Sequence, residues 1–215
     1  MWHVSVATPG DVDQAMEVSL DVFLHEEPIT RSLGFDRAEV EPLARRMAEH
    51  SFKTGVSLFA RNDTDGRIVG FIFCDDLADS AAERVLTEAP AGFHDRYAPA
   101  HVMLEQLRQP LFASTPPQAG EACHIGLLGT LPDWRRSGVG GSLVEAAVTQ
   151  AAAKGFKLIF AECSSPASVR CHARCGFNPE GGIRYGDFEF RGQRPFAGLE
   201  GACVLMARRL DAGPS

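Results

Sequence analysis

The segment with the clearest chemical signal is a glycine-rich turn that leads into a stretch of alanine, leucine and valine. Its members are Arg135, Arg136, Ser137, Gly138, Val139, Gly140, Gly141 and Ser142. Glycine lets a backbone turn tightly and bring its N–H groups close to a ligand. A helix that begins here offers unpaired N–H donors and a partial positive charge, which suit a pyrophosphate. Arg135 or Arg136 can add charge-assisted hydrogen bonds.

Two other phosphate-binding motifs fit this turn less well. A P-loop ends in glycine, lysine and serine or threonine, and the turn contains no lysine. A dinucleotide fingerprint needs a third glycine at a set spacing after Gly138 and Gly140, and that glycine is missing. The plainer alternative is an ordinary helix start that uses glycine for a turn.

Two neighbouring acids, Glu26 and Glu27, are candidates for proton transfer. They follow an apolar pattern of helical spacing and precede Pro28, which biases Glu27 out of helical geometry. A carboxylate at such a position can act as a general base, and Glu27 is the stronger candidate because it precedes the proline. The plainer interpretation is that both are solvated acids at a helix end.

A pair of serines could also take part in proton movement. Ser164 and Ser168 lie four residues apart around Pro166, and proline prefers the first turn of a helix. Ser164 or Ser165 can equally be the residue that caps this helix. The sequence leaves the two interpretations open.

We expect no metal site. Cys171 and Cys175 share a helix face beside His172, but no second pair of Cys or His residues has zinc-site spacing. The acids near the middle of the chain lack the spacing of a calcium loop, so we interpret them as turn residues. These acids are Asp63, Asp65, Asp75 and Asp76.

The elements that must position these residues follow from hydrophobic periodicity and turn chemistry. The pattern predicts strands over residues 3–7, 56–60, 68–74, 124–131, 157–163, 183–190 and 203–208. It predicts helices from residue 12 to Pro28, where proline ends the first helix, and over 37–53, 97–112, 140–153 and 166–175. The order is β-α-α-β-β, an insertion, then β-α-β-α-β-β, which implies a mixed sheet with helices on its faces.

The bulk composition narrows the class of protein. A chain of 215 residues with 45% hydrophobic and 23% charged residues fits one well-buried globular core. The net charge of -7 and the lack of a basic run argue against a nucleic-acid partner. We expect no membrane span, no secretory signal and, from six cysteines, free thiols in a reducing cytoplasm. We expect a monomer or a homodimer.

The glycine-rich turn resembles the acetyl-CoA signature of the GNAT superfamily of N-acetyltransferases. Arg135-x-x-Gly138-x-Gly140 matches the family pattern Arg/Gln-x-x-Gly-x-Gly/Ala and follows a strand as it does there. Gly176 and Phe177 resemble the family's exit from a helix, followed by a polar turn. The resemblance implies one α/β (α+β) domain with a mixed, mostly antiparallel sheet of about six to seven strands, splayed at its middle, with helices on both faces.

The same resemblance implies where acetyl-CoA binds. In the family, pantetheine lies between the splayed fourth and fifth strands, within a core that here covers about 124–180, beside a helical insertion at about 79–120. A backbone N–H at Leu128 or Gly129 would then face the thioester oxygen. The implied cofactor-binding residues are Leu128, Gly129, Thr130, Arg135, Arg136, Ser137, Gly138, Val139, Gly140, Gly141 and Ser142.

Three short segments resemble the insect-type arylalkylamine N-acetyltransferases more closely. They cover residues 23–29, 163–170 and 201–207. This likeness implies that Glu27 is the base, acting through water, and that Ser164 and Ser168 share in proton movement.

One position departs from the wider family. Many GNAT enzymes have a tyrosine four residues before the glycine of the Gly-Phe motif, and it protonates the thiolate. His172 occupies that position here, and an imidazole can be that acid. The alternative is a histidine on the helix surface.

The function implied is acetyl transfer from acetyl-CoA to the primary amine of a small molecule, arylalkylamine-like or polyamine-like, by direct attack on the thioester. One alternative is an acetyltransferase for protein N-termini or lysines, which would need an open groove where the 97–112 insertion can form a roof. Another is a catalytically silent acyl-CoA-binding module. The identity of the acceptor amine is left open.

Overall fold

Seven strands form one sheet in the computed structural model, which describes residues 1–80, 85–113 and 116–210. The strands are β1 (Trp2–Val6), β2 (Leu58–Asn62), β3 (Ile68–Asp76), β4 (Ala122–Thr130), β5 (Leu158–Cys163), β6 (Asn178–Arg184) and β7 (Ala202–Arg209). Their order across the sheet is β1-β2-β3-β4-β5-β7-β6. All neighbouring pairs are antiparallel except β4 and β5, which confirms the predicted mixed, mostly antiparallel sheet.

Helices cover the two faces of this sheet, and six of them have both ends within the described residues. They are α1 (Val12–Glu26), α2 (Pro28–Leu33), α3 (Arg37–Ser51), α4 (Ala91–Arg108), α5 (Val139–Ala153) and α6 (Pro166–Arg174). Side chains alternate between the faces along each strand, so the core has two sides. Helices α5 and α6 pack on one side, and helices α1 to α4 pack on the other.

The sheet opens between β4 and β5. These strands pair over three positions only, and the last pair is His124 with Phe160. Next to this point, Gly126 is an extra residue in β4, because Phe73 of β3 pairs with Leu127 while the next residue of β3 pairs with Ile125. Such a bulge bends the strand that carries it. β4 therefore turns away from β5 and leaves the predicted gap at the middle of the sheet.

The predicted strand at residues 183–190 is wrong. The strand lies earlier, at Asn178–Arg184, where we expected a polar turn, and Tyr185–Asp187 forms a 3-10 turn. β6 is an edge strand whose side chains are mostly exposed, so it lacks the apolar alternation on which the prediction rested. Tyr185 is buried instead, and its hydroxyl donates a hydrogen bond to the Ser164 carbonyl at 2.7 Å.

Three other local predictions also need correction. Pro28 begins α2 rather than ending α1, since α1 already stops at Glu26 and proline suits the first position of a helix. Asp75 is a buried residue of β3 rather than a turn residue. The predicted helix at 97–112 starts earlier, as α4, and its last turn is a 3-10 helix (Gln109–Phe112). Within the described ranges, no helix is both long and apolar enough to span a bilayer.

A prediction about stability concerns Gly129, which pairs with Phe71 across β3 and β4. A Cβ atom at Gly129 would lie 2.3 Å from Cζ of the Phe71 ring, and that ring is fully buried. We expect Gly129→Ala to lower the free energy of unfolding by about 1–3 kcal/mol, because an overpacked core must shift to accept the methyl group. Chemical denaturation measures the change.

The matched control is Gly92→Ala in the exposed first turn of α4, where a Cβ atom would meet nothing within 4 Å. This variant should be as stable as the wild type or slightly more so, because alanine favours helix over glycine. Equal stability of Gly129→Ala and the wild type would show that the Phe71 ring moves freely.

Candidate active site

The glycine-rich turn joins β4 to α5 at one end of the gap in the sheet. Gly138 caps α5 with φ 92° and ψ −8°, in the left-handed region that favours glycine. It supplies no side-chain cap, and the Ser142 N–H bonds to the Gly138 carbonyl at 3.0 Å. The N–H groups before Ser142 in this first turn have no partner within the helix. These N–H groups are therefore left without an intrahelical acceptor at the start of α5.

The two arginines of this turn have different surroundings. Arg135 Nε lies 3.4 Å from the Thr130 carbonyl oxygen, and its guanidinium forms an ion pair with Glu26 at the end of α1. Arg136 adopts a φ of 61° and is exposed. The Arg135–Glu26 pair joins the turn to the helices on the opposite face of the sheet.

A cavity of about 890 Å³ passes through the gap from the glycine-rich turn to the face covered by α1, α2 and α4. The four predicted catalytic residues all line it: Glu27, Ser164, Ser168 and His172. The predicted cofactor residues line it too, except Ser137 and Ser142. Val139 has a fully buried side chain in the core under α5, so its backbone is the part available to a ligand.

Glu27 connects two helices at the edge of this cavity. It ends α1 and is the N-cap of α2, where its Oε1 accepts from the Ile29 N–H at 3.1 Å and its Oε2 accepts from the Thr30 N–H at 2.6 Å. Burial raises the pKa of Tyr97 to about 12, and the negative charges of Glu27 and Glu162 add to the effect. Glu27 is half-buried and lines the same cavity as Tyr97.

The three serines at the start of α6 have different hydrogen-bonding roles. Ser165 is the N-cap, because its Oγ accepts from the Ser168 N–H at 3.2 Å. The cap therefore leaves the hydroxyls of Ser164 and Ser168 available at the cavity. Ser168 Oγ lies 3.4 Å from Nδ1 of His172.

His172 is buried, so the alternative of a helix-surface histidine is wrong. Its Nδ1 lies 2.9 Å from the Ser168 carbonyl oxygen, which can only accept, so Nδ1 carries the proton of the neutral ring. Burial lowers the pKa of His172, and the hydrogen bond to Ser168 opposes this. Nε2 then presents a lone pair, and in the described part of the chain it has no hydrogen-bond partner.

The sequence analysis missed a buried charge cluster at the point where the sheet opens. His124 Nε2 lies 2.7 Å from Glu162 Oε2 on β5, and His124 Nδ1 lies 3.3 Å from Asp75 Oδ1 on β3. Arg108, at the end of α4, places Nε 3.3 Å from Glu162 Oε1. All four residues line the cavity. A weak signal was present, because Glu162 is a lone acid in an otherwise apolar strand.

The surroundings of this cluster determine its charge. Burial by itself would lower the pKa of His124, but the charge of Glu162 and hydrogen bonds with Asp75 and Glu162 raise it to about 10. Burial by itself would raise the pKa of Glu162, but the positive charges of His124 and Arg108 lower it. At neutral pH His124 is therefore an imidazolium and Glu162 a carboxylate.

An aromatic wall completes the side of the cavity that faces α4. Phe35 and Phe93 stack at 4.5 Å, and Phe93 stacks on Tyr97 at 5.8 Å. The guanidinium of Arg96 lies 4.3 Å from the centre of the Phe35 ring on the outside. The three rings of this wall all line the cavity, which is therefore both aromatic and acidic on this side.

The cysteines in and just after α6 have neighbours other than a cluster of metal-ligating side chains. Among residues 1–80, 85–113 and 116–210, no group of three or more His, Cys, Asp or Glu side chains is placed to hold a metal ion. Cys175 Sγ instead lies 3.6 Å from the Gly141 carbonyl oxygen, and Cys171 is a free thiol.

A family model for the acetyltransferase (GNAT) family matches residues 24–177. The chain belongs to the GNAT family. It is therefore an acetyltransferase, and the match covers the end of α1, the helices α2 to α6 and the gap between β4 and β5. A search of curated protein sequences found no match.

Solved structures share the fold of this GNAT enzyme. Arylalkylamine N-acetyltransferase 2 from Aedes aegypti has a TM-score of 0.77 at 17% identity, covering 98% of this chain and 99% of that one. The polyamine N-acetyltransferase of Drosophila melanogaster, which forms N-acetylagmatine, has a TM-score of 0.73 at 20% identity, covering 98% and 100%. The C-terminal condensation domain of Ebony, in complex with β-alanyl-dopamine, has a TM-score of 0.84 at 13% identity, covering 98% and 99%.

A prediction about the charge cluster concerns the titration of His124. A group whose pKa rises on folding stabilises the fold fully below its unfolded pKa, about 6.5 for histidine, and loses that contribution as the pH rises through its folded pKa. The stabilisation from His124 should therefore be lost gradually as the pH rises from about 6.5 to about 10. Ring ¹⁵N shifts should show both nitrogens protonated at pH 8.

The variant Asp75→Asn should lower the titration midpoint of His124, because it removes one of the two carboxylates that hold the imidazolium. A wild-type midpoint near the ordinary value for histidine would contradict the assignment of an imidazolium. Unfolding free energies of wild type and His124→Gln, measured across the same pH range, provide the independent check.

Proposed function

We propose that this GNAT enzyme transfers an acetyl group from acetyl-CoA to the primary amine of a small molecule, arylalkylamine-like or polyamine-like. The observation that carries the proposal is the continuous cavity through the sheet. One end meets the glycine-rich turn, where an anion-binding helix begins, and the other meets acids and aromatic rings. A thioester in the gap would thus meet an amine from the opposite face.

The cofactor half of the site follows from the start of α5. The free N–H groups of its first turn and the helix dipole suit the pyrophosphate of CoA. Arg136, or Arg135 after release from Glu26, adds positive charge beside it. Pantetheine would lie in the gap along residues 128–130 of β4.

The gap also offers a hydrogen-bond donor to the thioester carbonyl, which is the electrophile of the reaction. Beyond His124, the β5-facing backbone groups of β4 have no partner on β5. A backbone N–H at Leu128 or Gly129 can therefore donate to the thioester oxygen and stabilise the oxyanion that forms on attack.

The amine half is built by α1, α2 and α4. An alkylammonium must lose a proton before it attacks, and Glu27 accepts that proton through water in this proposal. Helix α4 contributes Tyr97 and Phe93 of the aromatic wall to the cavity. Because this wall closes the side of the cavity that faces α4, it favours a small acceptor over an extended peptide. The likeness to enzymes for arylalkylamines and for agmatine supports the same class of acceptor.

The leaving thiolate needs a proton, and we assign its donor to Ser168. The His172 Nε2 carries no proton while Nδ1 donates to the Ser168 carbonyl, so His172 does not donate from that atom. The Ser168 hydroxyl lies beside His172 Nδ1 and lines the cavity. Ser164, on the same wall, is the partner in proton movement that the insect-type resemblance implies.

We also propose a cellular compartment and an assembly state. All six cysteines are free thiols, which supports a reducing compartment such as the cytoplasm. We retain the expectation of a monomer or homodimer without a nucleic-acid partner.

A prediction about the cofactor concerns Gly138 and Gly140. Gly138→Asp should abolish CoA binding, because an L residue is strained at φ 92° and its carboxylate would repel the pyrophosphate. Gly140→Asp should do the same through charge, since a Cβ atom there has ordinary contacts at 3.5 Å and 3.7 Å. Calorimetric titration with CoA measures both.

The matched control is Gly198→Asp, an exposed loop position where a Cβ atom would meet nothing within 4 Å. It adds the same charge away from the cavity and should bind CoA like the wild type. Unchanged CoA affinity in both turn variants would remove the turn from the cofactor site.

A prediction about the reaction concerns Glu27. Glu27→Gln keeps an oxygen that can cap α2 but removes the base, so kcat/KM for an alkylamine should fall about 100- to 10,000-fold at neutral pH. The loss should shrink at high pH, where the free amine is already present. A panel of arylalkylamines and polyamines with acetyl-CoA, followed by release of CoA thiol against pH, tests this.

Glu17→Gln, an exposed acid of α1, is the control and should follow the wild-type profile. If Glu27→Gln also follows it at every pH, Glu27 serves only as the cap of α2. A wild type that binds CoA but releases no thiol with any amine would favour the silent acyl-CoA-binding module. Turnover with peptides alone would favour the protein acetyltransferase.

A further inference from the structure

Two buried side-chain atoms stand out because, within the described ranges, they have no hydrogen-bond partner. They are Nε2 of His172 and Oε1 of Glu162, and both residues line the cavity. Each of these atoms is an acceptor. An unsatisfied buried acceptor is costly, so a hydrogen-bond donor from a ligand would stabilise each of them.

The two acceptors serve different halves of the cavity. His172 lies on α6, which packs on the same face as α5 and the glycine-rich turn. Glu162 follows Phe160 by two residues in β5, and alternation puts both side chains on the opposite face, where Phe160 packs in the core beneath α4. Glu162 therefore belongs to the half that would receive the amine.

We propose that Glu162 binds the acceptor amine as its ammonium ion, with Oε1 accepting an N–H hydrogen bond, and that His124 is the residue that positions this carboxylate. The proposal rests on the proposed function and assigns a binding role that is separate from proton removal by Glu27. The ligand class is a primary alkylammonium ion.

The geometry of Glu162 supports this role. Its Oε2 is held by His124 Nε2 at 2.7 Å, whereas its Oε1 is buried and has no hydrogen-bond partner within the described residues. Its side chain is 6% exposed, which strengthens a charge-assisted hydrogen bond by excluding water. It lies just past the last β4–β5 pair, beside the gap in which the thioester would sit.

Glu27 is arranged differently, so the two acids have distinct tasks. Both oxygens of Glu27 already accept backbone N–H groups of α2. Glu162 has an oxygen free for a direct hydrogen bond, whereas the base proposed above acts through water. One acid therefore holds the ammonium, and the other takes its proton.

Arg108 is the competitor for Oε1 of Glu162. Its Nε lies 3.3 Å from Glu162 Oε1 but forms no hydrogen bond with it. Its positive charge must weaken the attraction of a second cation to the same oxygen. Removing this charge should therefore strengthen ammonium binding, whereas a purely structural role for the cluster predicts the opposite.

The test measures equilibrium binding without turnover. CoA-saturated enzyme is titrated calorimetrically with 2-phenylethylamine and with 2-phenylethanol, a neutral ligand of the same shape. Glu162→Gln should weaken amine binding at least about tenfold, since hydrogen bonds to charged groups are worth that much or more, and should change alcohol binding less than about twofold. Arg108→Gln should tighten amine binding about threefold or more.

The matched control is Glu121→Gln, which removes a carboxylate paired with Lys157 outside the cavity and should leave both affinities unchanged. Equal amine affinity in Glu162→Gln and wild type overturns the proposal, as does an equal loss for amine and alcohol. Absence of saturable amine binding by the wild type overturns it too. If Glu162→Gln fails to fold or to bind CoA, an unchanged or weaker amine affinity in Arg108→Gln overturns it.

These outcomes separate the two proposals. Amine binding that depends on Glu162, together with no thiol release from acetyl-CoA, would reject the proposed function and keep this inference. Thiol release with an amine whose binding does not depend on Glu162 would do the reverse.

Discussion

The early end of pairing between β4 and β5 is the constraint on which the rest of this structure depends. A continuous sheet would separate its two faces completely, whereas these strands part after His124 and Phe160. The bulge at Gly126 bends β4 at the same place. The cavity can therefore cross the sheet, and a thioester bound from the face of α5 can meet an amine bound from the face of α4.

A gap in the middle of a sheet needs support at its closed end, and the buried charges supply it. His124 joins three strands, because its two nitrogens face Asp75 on β3 and Glu162 on β5. Buried charges are costly to desolvate, and removing one partner leaves another unpaired. The pairing of His124 with two carboxylates and of Glu162 with two basic groups limits that cost, and Glu162 Oε1 has no hydrogen-bond partner within the described residues.

The ends of the cavity are linked through the segment around Pro28. Glu26 pairs with Arg135 of the glycine-rich turn, and Glu27 caps α2 beside the amine half. Two adjacent acids thus contact opposite halves of the site. Local capping and chemistry are compatible in this arrangement, since a carboxylate that accepts backbone N–H groups is also held in one orientation.

The sequence by itself determined the features that depend on local backbone chemistry: the left-handed Gly138, the helix start at the glycine-rich turn, the serine cap of α6 and the order of most elements. The exposed β6 escaped prediction, because its placement depends on pairing with β7 rather than on its own pattern. The tertiary structure alone decided the charge cluster. Its four members come from β3, α4, β4 and β5, and only sheet pairing and helix packing bring groups so distant along the chain within hydrogen-bonding reach.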